Sequence, residues 1–466
     1  MLRFLSLLLV LAWIAPGLAG PPNVLMIFVD DLRPELACYG AAQIQSPNID
    51  RLAARGVRFD RAYCNVPVCG ASRASLMTGL RPTPERFLDA ATWAQRDAPG
   101  VTTLNQHFKD HGYSTSSIGK VFHHPEDCEG GWTLPPSHPG NGEWQAPASL
   151  GPAARRGGKR GPVTEAADAP EAQYRDAQVA AEAISRLDQL AGEKEPFFLA
   201  VGFYKPHLPF VAPKKYWDLY NEAQIHLPDN YYKSKDAPAV AFHNSGELNS
   251  YSGVSKSRPL PEDEARRLIH GYYACVSFVD AQIGRVLDEL DRLGLAEDTV
   301  VVLNGDHGWN LGEHTLWCKH CCFETSMRTP LIMAGPGVAD GRSTDSIVEF
   351  VDLYPTLCAL TGQPAPGHLQ GRSLKPLLAD PSIDWPGVAI GRFRTGETYR
   401  TDGFRLTQYT APGGQPQGRM LYDHEADPDE NQNIAPVNQA AVKQVEAAAR
   451  AYRNTAGQAV PDKPRQ

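Results

Sequence analysis

Asn23 to Val29 reads Asn-Val-Leu-Met-Ile-Phe-Val, a continuous apolar run without polar alternation. Such a run suits a strand buried on both faces at the centre of a parallel sheet. Pro196 to Phe203 and Asp298 to Asn304 repeat it, and Tyr113 to Ile118, Val57 to Ala62 and Thr329 to Ala334 are shorter strand candidates. Segments of helical pattern alternate with these strands. Ser46 to Gly56 has Ser46 as cap, Pro47 in the first turn and Gly56 as terminator, with Ile49, Leu52 and Ala53 as its buried stripe. Thr103 to His111, Asp176 to Leu190 and Asp352 to Leu360 also predict helices, and Pro261 to Leu293 predicts a long one, bent near Gly271. Strand-then-helix alternation predicts an α/β fold, a large and mainly parallel doubly wound sheet flanked by helices. From about Pro376 the pattern shifts to short strands with turn residues, then a helix from Val437 to Tyr452. This predicts a smaller C-terminal subdomain of antiparallel strands and a helix over 376–466. The main domain then spans 21–375.

The first twenty residues differ in kind. Arg3, an apolar run from Phe4 to Ile14 and small residues ending at Gly20 read as a signal peptide over 1–20. The expected destination is the periplasm or the outside of the cell, and no stable membrane span remains after cleavage. Residues 125–170 are rich in Gly, Pro and Ala and read as a surface insertion, with Arg155 to Arg160 as a solvated basic loop. The net charge of −8 argues against a general polyanion-binding surface, so nucleic acid is not an expected partner. An anionic substrate has to be met by a local cluster of cations. Nine cysteines are an odd number for an exported chain and flag one thiol with another task. Without Cys69 eight remain that can pair. Cys318 to Cys322 lacks a second cluster at zinc-finger spacing and reads as local thiols or a disulfide.

The candidate chemistry collects at the carboxyl ends of the predicted strands, where open α/β sheets place ligands. Asp30 and Asp31 follow the first strand. Cys69 precedes a helix start with Ser72 as its expected cap, and Arg73 follows four residues on. Lys120 and His123 come after Ile118, His207 after Phe203, and Asp306, His307 and Lys319 after Asn304. Adjacent carboxylates repel unless a cation compensates. Three aspartates, a histidine and nearby cations suit a divalent metal holding an anion.

Cys69-Gly70-Ala71-Ser72-Arg73, followed by Met77-Thr78-Gly79, resembles the signature of the formylglycine-dependent sulfatases, with Ala71 where proline is commoner. Val29 to Pro34, Ser46 to Asp50, Gly119 to His123, Lys205 to Phe210 and Asp306 to His314 resemble the iduronate-2-sulfatase branch of that family. Val351 to Leu357 and the ending Leu421-Tyr422-Asp423 with Asp427, Pro428 and Asn433 fit sulfatases generally. The resemblance implies an alkaline-phosphatase-like fold and a Cys69 oxidised to formylglycine by a formylglycine-generating or anaerobic sulfatase-maturating enzyme. It implies one Ca2+ per subunit, held by Asp30, Asp31, Asp306, His307 and an oxygen of the modified Cys69. Histidine is an unusual partner for calcium, which prefers oxygen. Arg73 would hold formylglycine, and Lys120 and Lys319 would clamp the sulfate oxygens. His207 would protonate the leaving oxygen and His123 would act as base. The implied substrate is a sulfated sugar or glycosaminoglycan-like chain, with a 2-sulfated uronic acid as the expectation by analogy and Trp309 and His314 lining its pocket. Two alternatives stand beside it. One is a phosphodiesterase or phosphonate hydrolase of the same superfamily. The other is a non-catalytic binder of sulfated glycans if Cys69 is not matured.

Overall fold

A computed structural model describes residues 20–140, 142–146, 149 and 159–455. The expected signal peptide, apart from Gly20, and residues Arg155 to Gly158 of the basic loop lie outside the described residues.

The main sheet has seven strands. In chain order they are β1 (Asn23–Val29), β2 (Gly56–Tyr63), β3 (Ser114–Gly119), β4 (Phe197–Phe203), β5 (Thr299–Gly305), β6 (Leu331–Ala334) and β7 (Arg342–Glu349). Their order across the sheet is β7-β2-β6-β5-β1-β4-β3. β1 lies between β5 and β4 and parallel to both, and β3 extends the parallel set. β6 runs antiparallel to both neighbours, so the sheet is mixed although mainly parallel.

Alternation along β1 explains the layers. Leu25, Ile27 and Val29 enter one core with α1 (Pro47–Ala54), α4 (Arg175–Ala191) and α5 (Glu262–Arg292). Val24, Met26 and Phe28 enter the other with α2 (Cys69–Thr78), α3 (Leu104–Asp110) and α6 (Leu353–Thr361). Side chains on a strand alternate faces, so one apolar run feeds both cores. Each of these large side chains contributes roughly 1.5–3 kcal/mol by its burial.

Three sequence expectations are corrected. α2 starts at Cys69 itself, with Val68 as the extended cap residue. Ser72 is therefore inside the helix, and its hydroxyl donates to the Asp306 carbonyl at 2.5 Å. α5 runs for 31 residues without a break at Gly271. The missing side chain there lets Phe210 and Trp217 pack against the helix. At the head of α1, Ser46 makes no side-chain capping bond to the helix. Its oxygen accepts from Ala37 N at 3.1 Å and donates to Asp50 at 3.2 Å.

A separate antiparallel sheet follows, ordered β8 (Ala389–Phe393), β9 (Gly396–Arg400), β10 (Phe404–Thr410), β11 (Pro416–Asp423). α7 (Gln439–Thr455) covers it through Val442 and Val445. Leu377 and Leu378, just before this sheet, pack into the main core. All nine cysteines are free thiols, and Cys321 Sγ lies 3.0 Å from the Ser326 hydroxyl. No helix among the described residues is long and apolar enough to cross a membrane.

Candidate active site

The register of the central strands builds the site. Val29 stands opposite both Phe203 and Gly305, so the chain leaves β1, β4 and β5 at one level. Asp30, Tyr204 and Asp306 are the next residues. Gly119 stands opposite Gly202, and Lys120 N donates to the Gly202 carbonyl at 2.8 Å, which brings Lys120 to the same edge.

Asp31 takes a left-handed backbone, with φ 62°, and its N–H donates to Asp306 Oδ1 at 3.0 Å. Asp30, Asp31 and Asp306 are all buried. Arg73 lies between two of them. Its Nε donates to Asp306 Oδ2 at 2.9 Å and its Nη2 to Asp30 Oδ1 at 3.1 Å. Its remaining bonds go to the carbonyls of Lys120 and Val121. The guanidinium thus ties the carboxylates of β1 and β5 to the loop after β3.

Cys69 Sγ lies 3.2 Å from His307 Nε2 and 3.9 Å from Asp31 Oδ1. His307 Nδ1 lies 2.9 Å from the Gly308 carbonyl, to which it donates, and this bond turns Nε2 towards Cys69. Burial and the neighbouring Asp30 push the Cys69 thiol well above its ordinary range. Unmodified, it is a neutral thiol and a weak nucleophile.

Two lysines flank the thiol. Lys120 Nζ pairs with Asp30. Lys319 Nζ lies 3.1 Å from Asp31 Oδ1, 2.9 Å from Glu247 Oε1 and 4.9 Å over the Trp309 ring. His207 Nε2 lies 3.0 Å from the same Glu247 oxygen and 3.8 Å from Asp31 Oδ2. Burial lowers the His207 pKa, but Asp31, Asp30 and the bond to Glu247 outweigh it and the balance is upward. His123 is opposite in sign. Burial, then Lys120, lower it to about 4, so it is neutral at pH 7.

Asp30, Asp31, Cys69 and His207 offer donor atoms within 4.8 Å of one another, as do Cys69, Asp306 and His307. The five expected ligands therefore meet around Cys69. Burial raises Asp30, but Lys120, His207 and Arg73 hold it well below the usual carboxylate range. Burial raises Asp31 too, and there Lys319 and His207 fail to offset it. An oxygen-rich donor set with one under-compensated buried carboxylate fits a hard divalent cation.

A cavity of about 280 Å³ opens beside this cluster, lined by Asp30, Lys120, His123 and His207, with His138, Arg175 and Tyr204 further along its wall. Trp309 and His314 do not line it. Trp309 is buried under Lys319 and packs edge-on to Phe210. His314 packs at a tilt against Phe323 and borders a separate 840 Å³ cavity.

Glu247 is the site residue that sequence reasoning missed. It sits on a single helical turn, Gly246–Asn249, within the irregular stretch after Pro213. Nothing local marks it, because its partners lie 40 and 72 residues away. Asp176 was also missed as a positioning residue. From the first turn of α4 it accepts the N–H groups of Tyr204 and Lys205, both at 2.8 Å, and so fixes the loop that carries His207.

The family model described as Sulfatase matches residues 22–363, and that described as N-sulphoglucosamine sulphohydrolase, C-terminal, matches residues 312–452. The chain belongs to the sulfatase family. It is 36% identical over 388 residues to iduronate 2-sulfatase of Mus musculus, covering 74% of this chain and 69% of that protein. The sulfatase is thus a sulfuric ester hydrolase. Its fold is similar to that of BT4656, solved with its substrate D-glucosamine-2-N,6-O-disulfate, at TM-score 0.73, 22% identity and coverage of 94% of this chain and 99% of the other. It is also similar in fold to the phosphonate monoester hydrolase of Agrobacterium radiobacter, at TM-score 0.76, 21% identity and coverage of 93% and 95%.

Proposed function

We propose that this sulfatase is exported, carries formylglycine at position 69 and one Ca2+, and removes sulfate from a sulfated uronic acid of a glycosaminoglycan-like substrate. The observation that carries the reading is the meeting of Asp31, Asp306 and His307 at Cys69 Sγ, with Lys120 and Lys319 on either side. The name of the mouse relative, iduronate 2-sulfatase, supports the substrate class.

Asp30, Asp31, Asp306 and His307 would hold the cation. The hydrated aldehyde supplies the hydroxyl nucleophile, and the cation supplies positive charge beside it. The other roles belong to the chain. Lys120 and Lys319 remain charged and hold the sulfate oxygens as negative charge builds on them. His207, with its upward pKa and its bond to Glu247, donates a proton to the departing alcohol oxygen. His123, neutral at pH 7, accepts a proton in the step that frees sulfate. Arg73 keeps Asp30 and Asp306 apart and oriented. Cys69 is only 3% exposed, so a maturation enzyme of either class acts on the chain before α2 packs.

The test is the mass of the tryptic peptide Ala62 to Arg73 from protein made in its own host. Loss of about 18 Da, assigned by fragmentation to Cys69 rather than Cys64, is the expected result. An unmodified Cys69 throughout would refute the nucleophile.

A further inference from the structure

Arg175 is the first residue of α4 and lines the 280 Å³ cavity together with Lys120, His123 and His207. Its guanidinium carbon lies 3.9 Å from the centroid of the Tyr204 ring. Tyr204 is itself held, because its N–H donates to Asp176. The stem is held as well. Gly140 packs so close that a Cβ there would lie 2.8 Å from Arg175 Cγ. The side chain is therefore fixed at its stem and its head, unlike a solvated surface arginine.

Its hydrogen-bonding capacity is open. Nε is buried with no partner, and among the described residues no carboxylate lies within 4.0 Å of the guanidinium. The other cations of the cavity are committed. Lys120 pairs with Asp30, and Lys205 Nζ donates to the carbonyls of His207 and Pro209 at 2.9 and 2.7 Å. The acids are accounted for too. Asp176 accepts two backbone N–H groups and interacts with Arg175 only through space, and Glu143, though on the same wall, makes no ion pair with Arg175. A fixed planar donor fork without a carboxylate, in a cavity lying just below the roughly 300–1,000 Å³ of ligand sites, suits a planar anion on a single sugar unit.

We propose that Arg175 binds the carboxylate of the sulfated sugar and so makes the cavity selective for acidic over neutral sugar sulfates. The proposal rests on the reading of the site given above and adds the residue that reads the sugar.

The test compares kcat/KM for a disaccharide bearing a 2-sulfated uronic acid with that for its carboxyl-reduced counterpart. The wild-type enzyme is expected to prefer the acid by roughly ten- to a hundred-fold, the range of a charged hydrogen-bonded pair. In Arg175→Met the ratio should fall to about one, through KM for the acid. Arg175→Lys keeps the charge without the fork, should recover part of the ratio, and serves alone if the methionine variant does not fold. A preference that survives in Arg175→Met, or none in the wild type, overturns the proposal. An Arg175-dependent preference for a disulfated hexosamine without a carboxylate would assign the site to a second sulfate and also overturn it. If the wild type cleaves no sulfate ester, 4-nitrocatechol sulfate included, the functional reading falls separately. Calorimetric titration of the two disaccharides into wild type and Arg175→Met then decides the role of Arg175 by the same ratio.

Discussion

At the carboxyl end of β1, Arg73 lies between Asp30 and Asp306. At the junction with the C-terminal sheet, Arg405 lies between Glu324 and Glu430 in a similar way. Both arginines are 1% exposed. The second cluster is closed. Glu324 Oε1 accepts from the Tyr63 hydroxyl at 2.8 Å, and Glu430 accepts from Glu324 N at 2.7 Å and lies 3.0 Å from His424 Nε2. Burial raises Glu324, but Arg405 and Arg400 outweigh it and hold it well below its ordinary range. Glu324, His424 and Glu430 have the spacing of a metal site, yet their carboxylates are already matched by the protein's own cations. The first cluster is open. Both clusters border a cavity, the first through Asp30 and the second through Glu324, His424 and Glu430, but only in the first is a carboxylate, Asp31, left raised. The charge of the junction cluster is balanced by the protein's own arginines, whereas the candidate site leaves Asp31 without full compensation.

Three experiments put this contrast under strain. The largest effect is expected from Cys69→Ala, which should lower turnover of a sulfate ester by at least roughly 10³-fold while the protein still unfolds cooperatively. Retained turnover would show that the open cluster works without residue 69. Next, Arg405→Met leaves the buried Glu430 and the largely buried Glu324 without their main cation and should cost about 3–5 kcal/mol, read by denaturant unfolding. A loss below 1 kcal/mol would remove the claim that the closed cluster is structural. The smallest effect is the pH dependence of stabilisation by Ca2+. Asp31 stands above its ordinary 3.8, so without cation its contribution to stability is full below that pH and is lost as pH rises. Glu324 is depressed, so its contribution is full above 4.5 and is lost as pH falls. Added Ca2+ competes with a proton at Asp31. The stabilisation it causes, read as a rise in Tm, should therefore grow from pH 4 upward, to about 2–3 kcal/mol at a hundredfold excess over Kd. A Tm shift that stays constant with pH, or that vanishes in Glu324→Gln, would place the cation elsewhere.

Much of the site was legible because strand ends are legible. Asp30, Asp31, Asp306 and His307 follow directly on apolar runs, and a run long enough to be a central strand fixes where its exit lies. The start of α2 was displaced by four residues because Ser72 is a good cap in isolation. Its hydroxyl finds a stronger use on the Asp306 carbonyl, a partner 234 residues away. Gly271 was read as a bend because glycine weakens a helix, but close packing against Phe210 and Trp217 overrides that preference. Trp309 next to His307 looked like a pocket wall, and instead it supports Lys319 from beneath.

The sequence by itself determined which segments are buried strands, which residues stand at their exits, and the motif that places the chain among the sulfatases. Those features depend on short-range order and are written within a few residues. Only the tertiary structure decided that Glu247 joins His207 to Lys319, that Arg73 bridges Asp30 and Asp306, and that Arg175 lines the cavity with no carboxylate within 4.0 Å among the described residues. The balance of charge at a buried site is a sum over groups from many segments, and only the folded register brings those groups within reach of one another.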